Sequence, residues 1–322
     1  MKGQESLLGE LELDRLINEI DEAPAPPRAN DVATEIREFH GWTLDKLEVF
    51  EKYLKLYRRV AGSGAFIDAF AGTGYGRAVS QGRSVRRDGS SLVAARSGAF
   101  ATIDLIEKDG ACRSTLLDAV AALPVEMRDR IRAHPGDCNV VLPALLSEER
   151  FDVDRPCFVL LDQESTQLDW TTIEALAAWK TYEPPTTSKG RPKSCKVELW
   201  ILFNSHQVIN RLWPKDRDRY PDSFSPATLD RILGGRDAWW DLWETHQPSS
   251  ALVQRFADRL RSLGYVYAIP QVIKDPATGR AQYHMFHATD HPSAVSFMRW
   301  AKRVSSGYEN RPFPGMDNAG QP

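Results

Sequence analysis

Short apolar runs alternate along this chain with segments of helical period. Residues 65–70 (Ala-Phe-Ile-Asp-Ala-Phe) are too short a run for a helix and lead into Gly72 and Gly74, which reads as a buried strand and its turn. Residues 102–106, 157–161 and 197–203 predict further strands, and 131–134 a weaker one. Between them, 111–122, 138–147 and 171–179 carry helical spacing, with Asp169 or Thr171 as N-cap of the last. Ahead of the first strand, 31–60 reads as helix, since Leu44, Leu47, Phe50, Leu54 and Tyr57 recur at intervals of three and four. Strands alternating with helices imply parallel pairing and right-handed crossovers. The end breaks this rhythm. A helix over 251–263 stops at Gly264, a strand over 265–269 precedes a turn at 275–279, a strand returns over 283–288, and Pro292 starts a final helix through Lys302. The expected architecture is α/β: a mostly parallel, seven-stranded sheet closed by an antiparallel C-terminal hairpin.

The same pattern divides the 322 residues. Residues 1–30 read as an acidic appendage, where Leu13, Leu16, Ile17 and Ile20 suggest a short helix before a Pro-rich linker. Residues 31–304 form the main domain, with insertions at about 180–196 and 213–250, and 305–322 is a tail. Five of the nine tryptophans fall between Trp200 and Trp243. In the second insertion, Trp239, Trp240 and Trp243 have helical spacing, which favours an apolar face docked on the domain over a base-stacking or partner-binding surface.

Composition narrows the class. With 42% hydrophobic and 26% charged residues, the chain is neither disordered, collagenous nor a small disulfide scaffold. A net charge of -3 argues against a general nucleic-acid coat. It leaves open local basic groups such as Arg77, Arg83, Arg86 and Arg87, or Lys189, Arg191, Lys193 and Lys196. Cys112, Cys138, Cys157 and Cys195 form no CxxC pair, so free thiols in a reducing cytoplasm are expected, with no structural metal. No run approaches the length of a membrane span.

Candidate chemistry begins at Asp68-Ala69-Phe70-Ala71-Gly72-Thr73-Gly74. Glycines after a buried strand permit a tight turn and close approach of a ligand, and open α/β sheets bind ligands beyond the carboxyl ends of their strands. The spacing is neither G-x-G-x-x-G nor a P-loop. It resembles the S-adenosylmethionine-binding turn of Rossmann-like methyltransferases. That resemblance implies the methyltransferase fold and this cofactor. It assigns Asp68, Phe70, Ala71, Gly72 and Gly74 to the cofactor turn, Glu107 to the ribose hydroxyls and Asp137 to the adenine amino nitrogen. It gives Lys46, on the preceding helix, either the methionine carboxylate or, as the blander alternative, a solvated position.

The chain further resembles the three-Cys-motif partner protein family over about residues 36–303. The motifs are the glycine turn, Asp162 at a strand end, Trp170-Thr171-Thr172-Ile173-Glu174-Ala175-Leu176-Ala177, Glu198-Leu199-Trp200-Ile201-Leu202-Phe203 with Asn210-Arg211 after it, and Phe286-His287-Ala288-Thr289-Asp290-His291-Pro292. The resemblance implies a methyltransferase acting beside a radical-type iron–sulfur protein. Relatives carry Asp-Pro-aromatic-Gly where this chain has Asp162-Gln163-Glu164-Ser165. That leaves a changed acceptor, with Asp162 or Glu164 as general base, against a non-catalytic, substrate-presenting or nucleic-acid-binding role. Asn204, His206, Arg77 and Arg211 are expected on the substrate side, and His206 and His287 are either acid/base groups or structural histidines.

Overall fold

The structure is a computed structural model describing residues 38–305, apart from 81–82, 149–154, 182, 184–194, 206–207, 214–223, 248 and 276–277. The expected appendage, tail and most of the first insertion lie outside the described residues. Strands β1 (Gly64–Asp68), β4 (Phe100–Glu107), β5 (Ile131–Pro135), β6 (Cys157–Leu161) and β7 (Glu198–Phe203) pair in parallel. Strands β8 (Tyr267–Lys274) and β9 (Ala281–Thr289) add an antiparallel hairpin, giving the order β5-β4-β1-β6-β7-β9-β8. This is the methyltransferase-type α/β architecture expected from the sequence. Its first strand is central, so the turn after β1 opens beside the ends of β4 and β6.

Strand β6 reads Cys-Phe-Val-Leu-Leu and is buried throughout, as parallel strands covered on both faces are. Its alternate side chains serve two cores. Phe158 and Leu160 meet Phe50, Tyr53, Phe66 and Trp200 beneath helix α1 (Gly41–Ala61). Cys157, Val159 and Leu161 face the other core, with Trp170 and Phe256. Trp239 and Trp243 belong to that second core, at 0% and 7% exposure, so the tryptophan-bearing segment does dock onto the sheet. The Trp239 indole donates to Asp230 Oδ1 at 2.8 Å, pairing its one polar atom.

Three details depart from the sequence expectation. Residues 75–97 carry no clear apolar period, yet form a hairpin, β2 (Tyr75–Ser80) and β3 (Arg83–Asp88), followed by helix α2 (Ser90–Ser97). The strand expected over 265–269 starts at Tyr267 and continues past Pro270. Proline is tolerated there because β8 is the sheet edge. Tyr265 itself is held off the strand by its hydroxyl, which donates to the Val197 carbonyl at 2.9 Å. Third, Asp169 occupies the N-cap of helix α6 (Trp170–Trp179), but its carboxylate pairs with Arg231 instead of capping. No described helix is long and apolar enough to cross a membrane.

Candidate functional site

The carboxyl ends of β1, β4, β5 and β6 border one cleft of about 1190 Å³. The glycine turn forms its floor. Gly72 and Gly74 adopt positive φ of 59° and 77°, a region costly for side chains bearing a Cβ. They differ in surroundings. A Cβ at Gly74 would lie 2.8 Å from Leu116 Cδ1, whereas nothing stands within 4 Å of one at Gly72. Gly74 is thus required by backbone and packing, Gly72 by backbone alone.

Two bonds tie this turn to β4. Ala71 N–H donates to the Ile106 carbonyl at 3.0 Å, and Gly72 N–H donates to Glu107 Oε2 at 2.8 Å. Glu107 Oε1 accepts from Asp109 N–H at 2.7 Å. An ionised carboxylate has about four acceptor sites, so Glu107 is oriented from both oxygens while retaining capacity toward the cleft. At the end of β5, Asp137 caps helix α5 (Cys138–Leu146) through Asn139 N–H at 3.0 Å and receives Lys108 Nζ at 2.9 Å. The lysine hydrogen bond holds the Asp137 carboxyl below the usual range.

Asp68 lies beneath the turn and does not line the cleft. Fully buried, it accepts from Ser90 Oγ at 2.6 Å, Ser91 Oγ at 2.9 Å and Phe70 N–H at 3.2 Å. Burial raises its pKa to about 6 against the lowering effect of the hydroxyls, and the charge of Asp162 adds to the rise.

Helix α1 and strand β6 bring the remaining groups together. Lys46 is 7% exposed and ion-paired with Asp162, so it is not a solvated helix charge. Its ammonium reaches the strand end because Lys46 falls on the buried face of α1. Gln163 is also buried. Its amide donates to the Leu202 carbonyl at 3.0 Å and accepts from Leu168 N–H at 2.8 Å, stitching the loop after β6 to β7. Gln163 therefore has a structural use. Glu164 is exposed on the cleft wall, and its carbonyl accepts from Asn204 Nδ2 at 3.2 Å.

Of the expected site residues, the cleft gathers Lys46, Phe70, Ala71, Gly72, Gly74, Glu107, Asp137, Asp162, Glu164 and Asn204. Arg77 is on β2 and Arg211 is exposed on a π-turn at Val208–Leu212; neither lines the cleft. His206 lies outside the described residues. His287 is buried, with Nε2 2.7 Å from Glu198 Oε1, an arrangement that ties β9 to β7. The sequence reading missed an aromatic rim: Phe39, His40, Tyr75 and Tyr283 line the cleft, and His40 stacks on Trp42 with ring centroids 4.5 Å apart. The aromatic pair flanking the start of α1 was the available signal. Cys138 and Cys157 are free thiols pushed up to about 12 by burial, so neither serves as a thiolate nucleophile.

No family model matches the chain, and no curated protein matches it. Solved structures do show likeness. The O-methyltransferase from Bacillus cereus in complex with SAH aligns over 86% of this chain and 89% of its own, at 13% identity and TM-score 0.42. M. jannaschii TYW2 in complex with AdoMet aligns over 79% and 78%, at 8% identity and TM-score 0.40. The methyltransferase domain of bacterial CtHen1 aligns over 76% and 99%, at 14% identity and TM-score 0.36. These likenesses are distant.

Proposed function

We propose that this chain binds S-adenosylmethionine and acts as a methyltransferase. The observation that carries the reading is the convergence of Gly72, Gly74, Glu107 and Asp137 on one cleft at successive strand ends. The donor set fits this cofactor. Gly72 leaves open space above the turn. Glu107 has acceptor capacity for a vicinal diol, and Asp137 is an acceptor suited to an amino group. Carboxylates outnumber cations among the lining residues, which suits a cationic sulfonium: Glu38, Glu107, Asp109, Asp137, Asp162 and Glu164 stand against Lys46 and Lys108.

When bound, the cofactor supplies an electrophilic methyl group. The chain's own contribution is placement, which accounts for much of the rate in a two-body transfer. Glu107 and the turn orient one reactant, while Asp162 and Glu164 face the space left for the other. Lys46 neutralises Asp162 in the free protein, so Asp162 serves as base only once that pair opens. Glu164, exposed on the cleft wall, is the alternative base.

A second reading is favoured by that same ion pair. With Asp162 engaged by Lys46 and Gln163 spent on the loop, the site suits a substrate-presenting subunit beside an iron–sulfur partner. Methyl transfer to the partner's substrate by the isolated chain supports the first reading. Cofactor binding without transfer, unless the partner is added, supports the second. The test of both begins with calorimetric titration of S-adenosylmethionine, in which absence of binding removes the methyltransferase assignment.

A further inference from the structure

The β2–β3 hairpin interrupts the path from the glycine turn to α2 and stands at the cleft. Its two strands contain Arg77, Arg83, Arg86 and Arg87 and a single carboxylate, Asp88. Asp88 is taken by Arg96 Nε at 2.8 Å. Among the described residues, no carboxylate pairs with Arg77 or Arg86, which are partly exposed. In the antiparallel register Arg77 stands directly opposite Arg86, with Tyr75 on the same face two residues before Arg77. Directly opposed residues have Cβ atoms about 5 Å apart, and like charges at that spacing repel. The guanidinium of Arg86 stacks over Tyr75, 3.7 Å from its ring centroid, and Tyr75 lines the cleft. Stacking fixes the plane of the guanidinium and leaves its edge donors available.

The hairpin is also anchored at a defined height. Phe39 N–H donates to the Arg77 carbonyl at 2.6 Å, and Glu38 bridges Arg77 backbone to backbone. The Phe39 ring fills the place a side chain at Gly76 would need, since a Cβ there would stand 2.4 Å from Phe39 Cε1. Two arginines with no carboxylate partner among the described residues are thus held opposite each other on the hairpin, with Arg86 stacked on Tyr75 of the cleft lining.

We infer that Arg77 and Arg86 form an anion clamp that receives a phosphate group of the methyl acceptor. Two guanidiniums across one ladder position can bond different oxygens of one tetrahedral anion, and the anion removes their repulsion. The clamp is local and the whole chain carries a net charge of -3, so it fits a compact phosphorylated molecule better than a long polyanion. The phosphate would sit at the rim while the atom to be methylated reaches toward Asp162 and Glu164. This substrate class rests on the methyltransferase reading, whereas the anion site itself is tested independently of it.

The test uses the full chain, pyrophosphate as probe, and the variants Arg77→Gln, Arg86→Gln and the double. Pyrophosphate is expected to bind the parent protein and to raise its melting temperature. Each single substitution should weaken binding about tenfold or more, as loss of a charge-assisted hydrogen bond does. Affinity for S-adenosylmethionine should stay unchanged in the variants. Without anion, Arg77→Gln should melt no lower than the parent, because it relieves repulsion. Absence of pyrophosphate binding, or equal binding by the double variant, overturns the clamp, and a lower melting temperature for Arg77→Gln makes the pair structural instead. A single-stranded RNA oligonucleotide that binds far tighter than pyrophosphate, with a steep salt dependence, overturns the compact acceptor. Failure of S-adenosylmethionine alone to bind overturns the methyltransferase reading and leaves the anion result standing.

Discussion

Two glycines two residues apart do different work in the turn after β1. Gly74→Ala meets both a positive φ of 77° and Leu116 Cδ1 at 2.8 Å, while Gly72→Ala meets only a φ of 59°. Denaturant unfolding should show Gly72→Ala destabilised by about 1–2 kcal/mol and Gly74→Ala by clearly more. Equal losses would mean that the turn relaxes away from Leu116. Asp68 gives a second prediction. Its folded pKa near 6 lies above the ordinary value of 3.8, so between those values the folded state holds more protons than the unfolded. Stability contributed by Asp68 is therefore greatest below about pH 4, falls as pH rises toward about 6, and is level above. The difference in unfolding free energy between the parent and Asp68→Asn should change across that window and be flat from pH 7 to 8. The acidic strand ends and the glycine turn were legible because each follows an apolar run within a few residues. The Lys46–Asp162 pair was not, because its partners are 116 residues apart and meet only once α1 packs on the sheet.

Helix α1 does more than cover a sheet face. Tyr53, two turns after Lys46, donates its hydroxyl to Glu198, and Glu198 also meets His287, so one buried carboxylate joins α1, β7 and β9. This network sets the rotation of α1 and thereby the height at which Lys46 reaches Asp162. Tyr53→Phe should cost about 1–3 kcal/mol, since it removes a hydrogen bond to a buried acceptor. Urea unfolding measures that loss, and an unchanged midpoint would show that the Tyr53–Glu198 hydrogen bond does not hold α1. The continuous apolar strands β6 and β7 were visible as runs because both of their faces are covered. The β2–β3 hairpin was hidden because arginines occupy positions on both of its faces, which erases the period of two.

At the scale of the molecule, one sheet separates two cores, and the tryptophans of residues 239–243 complete the one opposite α1. Trp239→Ala should therefore cost about 3–5 kcal/mol, read as a large drop in melting temperature for the whole chain. Loss of only a local spectroscopic signal would make that segment a separate unit. The central claim is that the cleft at the ends of β1, β4, β5 and β6 holds S-adenosylmethionine through the glycine turn and Glu107. Isothermal titration of the folded chain with S-adenosylmethionine and S-adenosylhomocysteine, alongside Glu107→Ala, tests it most directly. One site per chain is expected for both ligands, weakened about tenfold to a hundredfold by Glu107→Ala, as loss of hydrogen bonds to a charged acceptor requires. No binding of either ligand by folded protein, or equal affinity in Glu107→Ala, would contradict it.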